Sequence, residues 1–133
     1  MSQPDYKLIE WHTVVSHIKW LSIDKVESEG YNLLIHFSDS SKNKYISEIN
    51  CRVYCLTHEE NLFDLWKLKN SKYSNIGNTF EILPSTWIKE FSILRDNIKD
   101  FKHLVIVSDD VTIQIISEEY PTIKKTNCAQ QRV

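Results

Sequence analysis

Glycine and proline are scarce: the chain has two glycines and three prolines in 133 residues, where average usage would give roughly nine and seven. Loops that cradle phosphate need several glycines close together, because only a residue without Cβ lets backbone N–H groups come near the anion. Gly30 and Gly77 stand far apart, so no G-x-G-x-x-G fingerprint, P-loop or G-x-S-x-G elbow can be written anywhere. Collagen-like and Gly/Ser linker compositions are excluded with them. The turns must then be made by Asn, Asp and Ser.

Cysteine is also sparse. Cys51, Cys55 and Cys128 are too few, and odd in number, for a disulfide scaffold, which a domain of this size does not need. Apolar runs such as Leu104–Val107 are short, against the roughly 20 residues a membrane helix requires. The start, Met1-Ser2-Gln3-Pro4-Asp5, has neither a basic nor an apolar leader, so no secretory signal and a cytoplasmic location are expected. Residues 1–66 carry six Lys/Arg and ten Asp/Glu, and residues 67–133 carry ten and eight, for −4 and +2 and a total of −2. Neither half shows the clustered basic face of a nucleic-acid binder. No nucleic acid, membrane or small-molecule cofactor is expected as a partner.

What is present fits one domain spanning 1–133, with 41% hydrophobic and 26% charged residues. Trp11, Val14, Val15 and Ile18 fall at the spacing of one apolar helical stripe and predict a short helix over 11–20. Tyr31, Leu33, Ile35 and Phe37 alternate as a half-buried strand does, and the polar run 38–43 joins it to the next strand as a hairpin. Strands follow at 44–49 and 51–56, a second short helix at about 61–69 and a mobile surface loop at 69–78. After a strand over 79–83, Ser85 or Thr86 can cap an amphipathic helix over 86–98. The β-branched runs 103–107 and 111–116 flank Ser108-Asp109-Asp110 and predict a hairpin. Pro121 closes the ordered part, and 126–133 reads as a frayed tail. The class expected is α+β: an antiparallel sheet of six or seven strands with one main amphipathic helix and one or two short ones.

Catalytic and metal motifs are weak. Cys51-x3-Cys55-x2-His58 lacks the second ligand pair of a zinc site, and on a strand Cys51 and Cys55 stand about 13 Å apart at about 3.3 Å per residue. Buried free cysteines acting as small apolar residues are the simpler account. A Cys-His pair assembled by the fold would want an electropositive pocket around the sulfur, and no serine stands in a recognisable strained turn. Three acidic pairs are more informative: Glu59 with Glu60, Asp109 with Asp110, and Glu118 with Glu119. Adjacent carboxylates at strand ends suit a negative patch facing a basic partner better than one catalytic cleft. Most of the four tryptophans belong in a core, but Trp20 and Trp66 are least securely placed there. An aromatic beside acidic groups is interface chemistry, and on that ground Trp66 joins the six acidic residues as a candidate partner-binding residue.

Three segments taken in order carry a family likeness: Asn32–Phe37 with its polar turn, Cys51–Glu60, and Phe80–Phe91 leading to Lys102–Ile116 before Glu118-Glu119-Tyr120-Pro121. The last resembles the C-terminal hairpin of small bacterial immunity proteins encoded beside polymorphic or contact-dependent growth inhibition toxins. The resemblance implies a cytoplasmic, non-enzymatic antitoxin that binds the C-terminal domain of one cognate toxin, a nuclease being one such toxin, and occludes its active site. Immunity surfaces differ from pair to pair, so the candidate residues rest on the charge pattern alone. The alternative is a small cytosolic enzyme whose Cys, His and carboxylate groups are brought together by the fold. A scaffold domain acting as a homo-oligomer is a third reading.

Overall fold

The computed structural model describes residues 7–58, 76–94, 100–109 and 111–126. Within them run eight strands and one helix: β1 (Lys7–Glu10), β2 (Ser22–Glu29), β3 (Asn32–Ser38), β4 (Lys44–His58), β5 (Thr79–Leu83), α1 (Thr86–Leu94), β6 (Lys102–Val107), β7 (Val111–Ser117) and β8 (Ile123–Thr126). All pairings are antiparallel, in the order β1-β5-β6-β7-β4-β3-β2, with β8 also on β4.

The two strands expected at 44–49 and 51–56 are one strand of 15 residues, and this strand organises the molecule. Its first half pairs with β3 and its second with β7, with a register shift between Cys51 and Val53. A bulge of this kind bends a strand and raises its twist. The sheet therefore folds over itself, and Leu33, Ile35 and Phe37 of β3 join Leu104, Ile106, Ile113 and Ile115 of β6 and β7 in one core. Each such fully buried side chain contributes about 1.5–3 kcal/mol of burial energy. Phe80, Ile82 and Val105 form a second cluster with Leu8 and Ile76.

The turns are built as the composition requires. Gly30, at φ +61°, opens the two-residue link between β2 and β3, where a positive φ matches the twist of the flanking strands. Between β3 and β4, the Asp39 carboxylate accepts from Ser41 N, Asn43 N, Asn43 Nδ2 and the Tyr45 hydroxyl. These bonds, with that of the Asn43 side chain foremost, hold its carboxyl below the usual carboxylate range.

Several expectations need correcting. The described residues are mostly sheet, and of the amphipathic helix expected over 86–98 they show α1, nine residues long, residues 95–98 lying outside the described part. Trp87 and Ile88 pack on Ile116 and Phe101, while Ile93 is 80% exposed. Ser85 is the cap, its Oγ accepting the Ile88 N–H at 3.1 Å. Residues 11–20 form turns instead of a helix. The carbonyls that helical N–H groups would have used are taken by side chains: Ser16 Oγ and Thr79 Oγ1 donate to Trp11 O, and Asn78 Nδ2 donates to Val15 O and Ile18 O. Short polar side chains compete with helical bonding in this way. Trp11 and Val15 are nonetheless buried, as the stripe required, while Val14 is 55% exposed. Strands β1, β2 and β8 were not anticipated, and β8 extends the ordered chain beyond Pro121. The helix expected at 61–69, most of the loop expected at 69–78, and residues 127–133 of the expected tail lie outside the described residues. The last loop residues, 76–78, are packed against the 11–20 segment, with Ile76 buried and Asn78 N donating to Ser16 O.

Candidate functional site

Two surface features combine acidic and aromatic groups, and they lie at opposite ends of β7. The first is where the turns of 11–20 enter β2. Trp20 stands 64% exposed in the left-handed region at φ +62°. For a bulky L-residue that conformation costs about 1–2 kcal/mol, since Cβ crowds the following carbonyl. Trp20 is followed by buried Leu21, whose carbonyl accepts the Asp109 N–H at 2.8 Å. The turn carrying Asp109 is closed by Ser108, whose Oγ donates to Val111 O and accepts from Val111 N. An exposed indole and an exposed acidic turn are thereby tied together by a main-chain bond. Lys19 Nζ lies 5.9 Å from the Trp20 ring centre.

The second feature is the detour between β7 and β8. Both strands run along the same edge of β4, β7 against residues 51–58 and β8 against residues 44–47. Residues 118–122 loop outward opposite 48–50, leaving a groove of about 590 Å³ whose lining includes Glu48, Glu118, Glu119 and Tyr120. Tyr120, Pro121 and Thr122 also border a second, more open cavity of about 690 Å³. Tyr120 is half-exposed but anchored, because its hydroxyl donates to the carboxylate of Glu81, a residue only 5% exposed. The adjacent carboxylate pushes the Tyr120 phenol up to about 12. Lys102 Nζ sits 4.8 Å from the ring centre, within cation–π range.

The opposite face of the sheet holds a buried polar relay. His103 Nδ1 lies 2.7 Å from Ser85 Oγ, and its Nε2 lies 2.7 Å from Gln114 Oε1. Burial lowers the pKa of this imidazole, partly offset by the Gln114 bond. Its sequence signal was slight, a histidine within a β-branched run. Elsewhere Glu10 Oε2 lies 3.1 Å from His12 Nδ1 and 3.2 Å from His17 Nε2. Among the described residues no group of three His, Cys, Asp or Glu is arranged to hold a metal. Cys51 is buried and free, and burial pushes its thiol up, the reverse of an activated thiolate.

Of the candidate residues, Asp109, Glu118 and Glu119 are exposed. Asp109 precedes β7 and the glutamates follow it, so the seven residues of the strand hold them roughly 20 Å apart at about 3.3 Å per residue. They form two acidic places, each with its own aromatic. Glu59, Glu60, Trp66 and Asp110 lie outside the described residues. Trp20 and Tyr120, absent from the candidate set, are the exposed aromatics at these two places, while Tyr31 is exposed at the β2–β3 turn; Trp20's weak fit to any apolar stripe was the available signal. No helix among the described residues is long and apolar enough to cross a membrane. No protein-family model matches this chain, and no curated protein or solved structure matches it.

Proposed function

We propose that this chain is a cytoplasmic immunity protein that binds the C-terminal domain of a cognate bacterial toxin and occludes its active site. The observation that carries the reading is Trp20: a large apolar ring, 64% exposed, kept in a strained backbone conformation beside an acidic turn. Folding alone gains nothing from this arrangement, since an Asn or Gly there would relieve the backbone. Binding would gain a rigid exposed aromatic anchor, the residue type typical of an interface hot spot. The exposed turn at Asp109, joined to this strand start through the Leu21 carbonyl, suits a basic toxin surface such as a nuclease substrate cleft.

The reading is preferred to a small cytosolic enzyme because the described nucleophile candidates are engaged in packing. Cys51 is buried with a raised pKa, and Ser85 Oγ serves both as helix cap and as partner of His103. The test is to mix the purified chain with the toxin domain encoded beside it and measure binding by calorimetry and toxin activity in parallel. A complex of sub-micromolar Kd that abolishes toxin activity is expected. No complex at micromolar concentration would overturn the proposal.

A further inference from the structure

Strand β2 ends the sheet, so one of its edges has no neighbouring strand among the described residues. Which groups line that edge follows from the turn into β3. Glu29 and Asn32 flank the two-residue turn as its hydrogen-bonded pair, so in the register behind it Glu27 and Lys25 bond across to Leu34 and His36, and Val26 turns its N–H and C=O outward. The far side of β3 agrees, since Cys51 N donates to Tyr31 O and alternation then sends Leu33 and Ile35 toward β4. The Val26 side chain packs on the core. Its neighbours Lys25 and Glu27 stand on the solvent face, side chains 63% and 45% exposed, with Lys25 Nζ 3.3 Å from Glu27 Oε1 and His36 Nε2 3.0 Å from Glu27 Oε2.

We propose that this edge pairs with the same edge of a second copy of the chain, antiparallel and two-fold about Val26. Val26 N–H and C=O then exchange both bonds with Val26 of the second copy, and each Lys25 faces the other copy's Glu27 across a close, non-hydrogen-bonded pair. The charges choose the register. A slip of two residues in one direction sets Lys25 against Lys25, and in the other Glu27 against Glu27, like charges directly opposite each other. Charged edge residues and the bulge between Ile23 and Lys25 turn away unrelated strands, whereas this alternation of signs is complementary to itself. Because the Asp109 N–H already occupies Leu21 O, the pairing stops at Ile23 and, by symmetry, at Glu29. So short a contact falls well below the roughly 20–30 residues a side of a stable complex, and the dimer is a weak one, with a Kd on the order of 100 μM.

Sedimentation equilibrium of the chain alone, from well below that concentration to well above it, tests the pairing. The mass should rise from that of one chain toward that of two, and the Val26 amide should gain protection from hydrogen exchange as it does. Lys25→Glu and Glu27→Lys alter exposed ion pairs whose loss costs the fold little, yet each turns both cross-copy attractions into repulsions and should weaken association about tenfold or more. An equimolar mixture of the two variants should associate at least as well as the parent, because positions 25 and 27 of one then meet opposite charges at 27 and 25 of the other. A parent that stays monomeric throughout, single variants that dimerise as the parent does, or a mixture no more associated than its components would each overturn the proposal. No toxin enters the experiment, so its failure leaves the immunity reading standing, and a failure to bind the toxin domain leaves this pairing standing.

Discussion

The His103 imidazole lies flat against the Trp87 indole, ring centres 4.9 Å apart and planes 7° from parallel, with Ser85 and Gln114 held at its two nitrogens. Ser85 Oγ already accepts the Ile88 N–H, so its own proton is free to go to Nδ1 while Nε2–H donates to Gln114 Oε1. This is the neutral ring, and burial depresses its pKa below 6.5. The unfolded chain then binds the proton more readily than the folded one. Stability contributed by the neutral relay is complete above the unfolded pKa and is lost as pH falls through the folded value. Urea midpoints should drop as pH falls below about 6.5, and the drop should shrink in His103→Gln, which cannot titrate in this range. A midpoint equally pH-dependent in both proteins would contradict this.

Gly77 tests the docking of the 11–20 segment. Its φ of +86° suits glycine alone, and a Cβ there would collide with the Ser16 carbonyl oxygen. Gly77→Ala should destabilise by about 2–4 kcal/mol, combining backbone strain with the forced displacement of Ser16. Gly30 has a similar φ of +61° but open space around a Cβ, so Gly30→Ala should cost less, about 1 kcal/mol. Chemical denaturation of the two variants side by side distinguishes the steric contribution.

Removing the Tyr120 hydroxyl takes the O–H donor from a buried carboxylate. Tyr120→Phe should cost about 1–3 kcal/mol, the usual result of leaving a buried polar group unpaired. In the parent, the phenol pKa is raised to about 12, so its contribution is intact below the ordinary value of 10 and disappears as pH rises through 12. A spectrophotometric titration should show a tyrosine ionising near pH 12, and Tyr120→Phe should remove that step.

Trp20 should separate stability from binding. Trp20→Asn places a residue that tolerates the left-handed region and removes an exposed ring, so thermal stability should be unchanged or slightly raised. Affinity for the toxin domain should fall by about 2 kcal/mol, near thirtyfold, as for loss of a hot-spot aromatic. Undiminished affinity would remove Trp20 from the interface.

The candidate surface was partly legible in the sequence. Adjacent acidic residues flanking a β-branched run mark exposed strand ends, and Asp109, Glu118 and Glu119 are exposed there. Their separation was not legible, because it follows from β7 lying between them. The groove was also hidden: nothing local reveals that residues 118–122 loop away between two strands sharing the edge of β4. The relay around His103 joins residues 18 and 11 positions apart in the chain, and the pairings of β6 with β5 and with β7 bring them together.

Local chemistry by itself determined the hairpins, the turn residues and the Ser85 cap, because alternation of apolar side chains, β-branching and short polar side chains act over a few residues. Tertiary structure decided the rest. It turned a helical stripe at 11–20 into turns, since Thr79 and Asn78, distant in the chain, took the carbonyls a helix would have used. It fused two expected strands into β4, since a bulge keeps one strand paired on both halves of a folded sheet. Local propensity amounts to only tenths of a kcal/mol per residue, less than these long-range hydrogen bonds and the apolar burial they accompany.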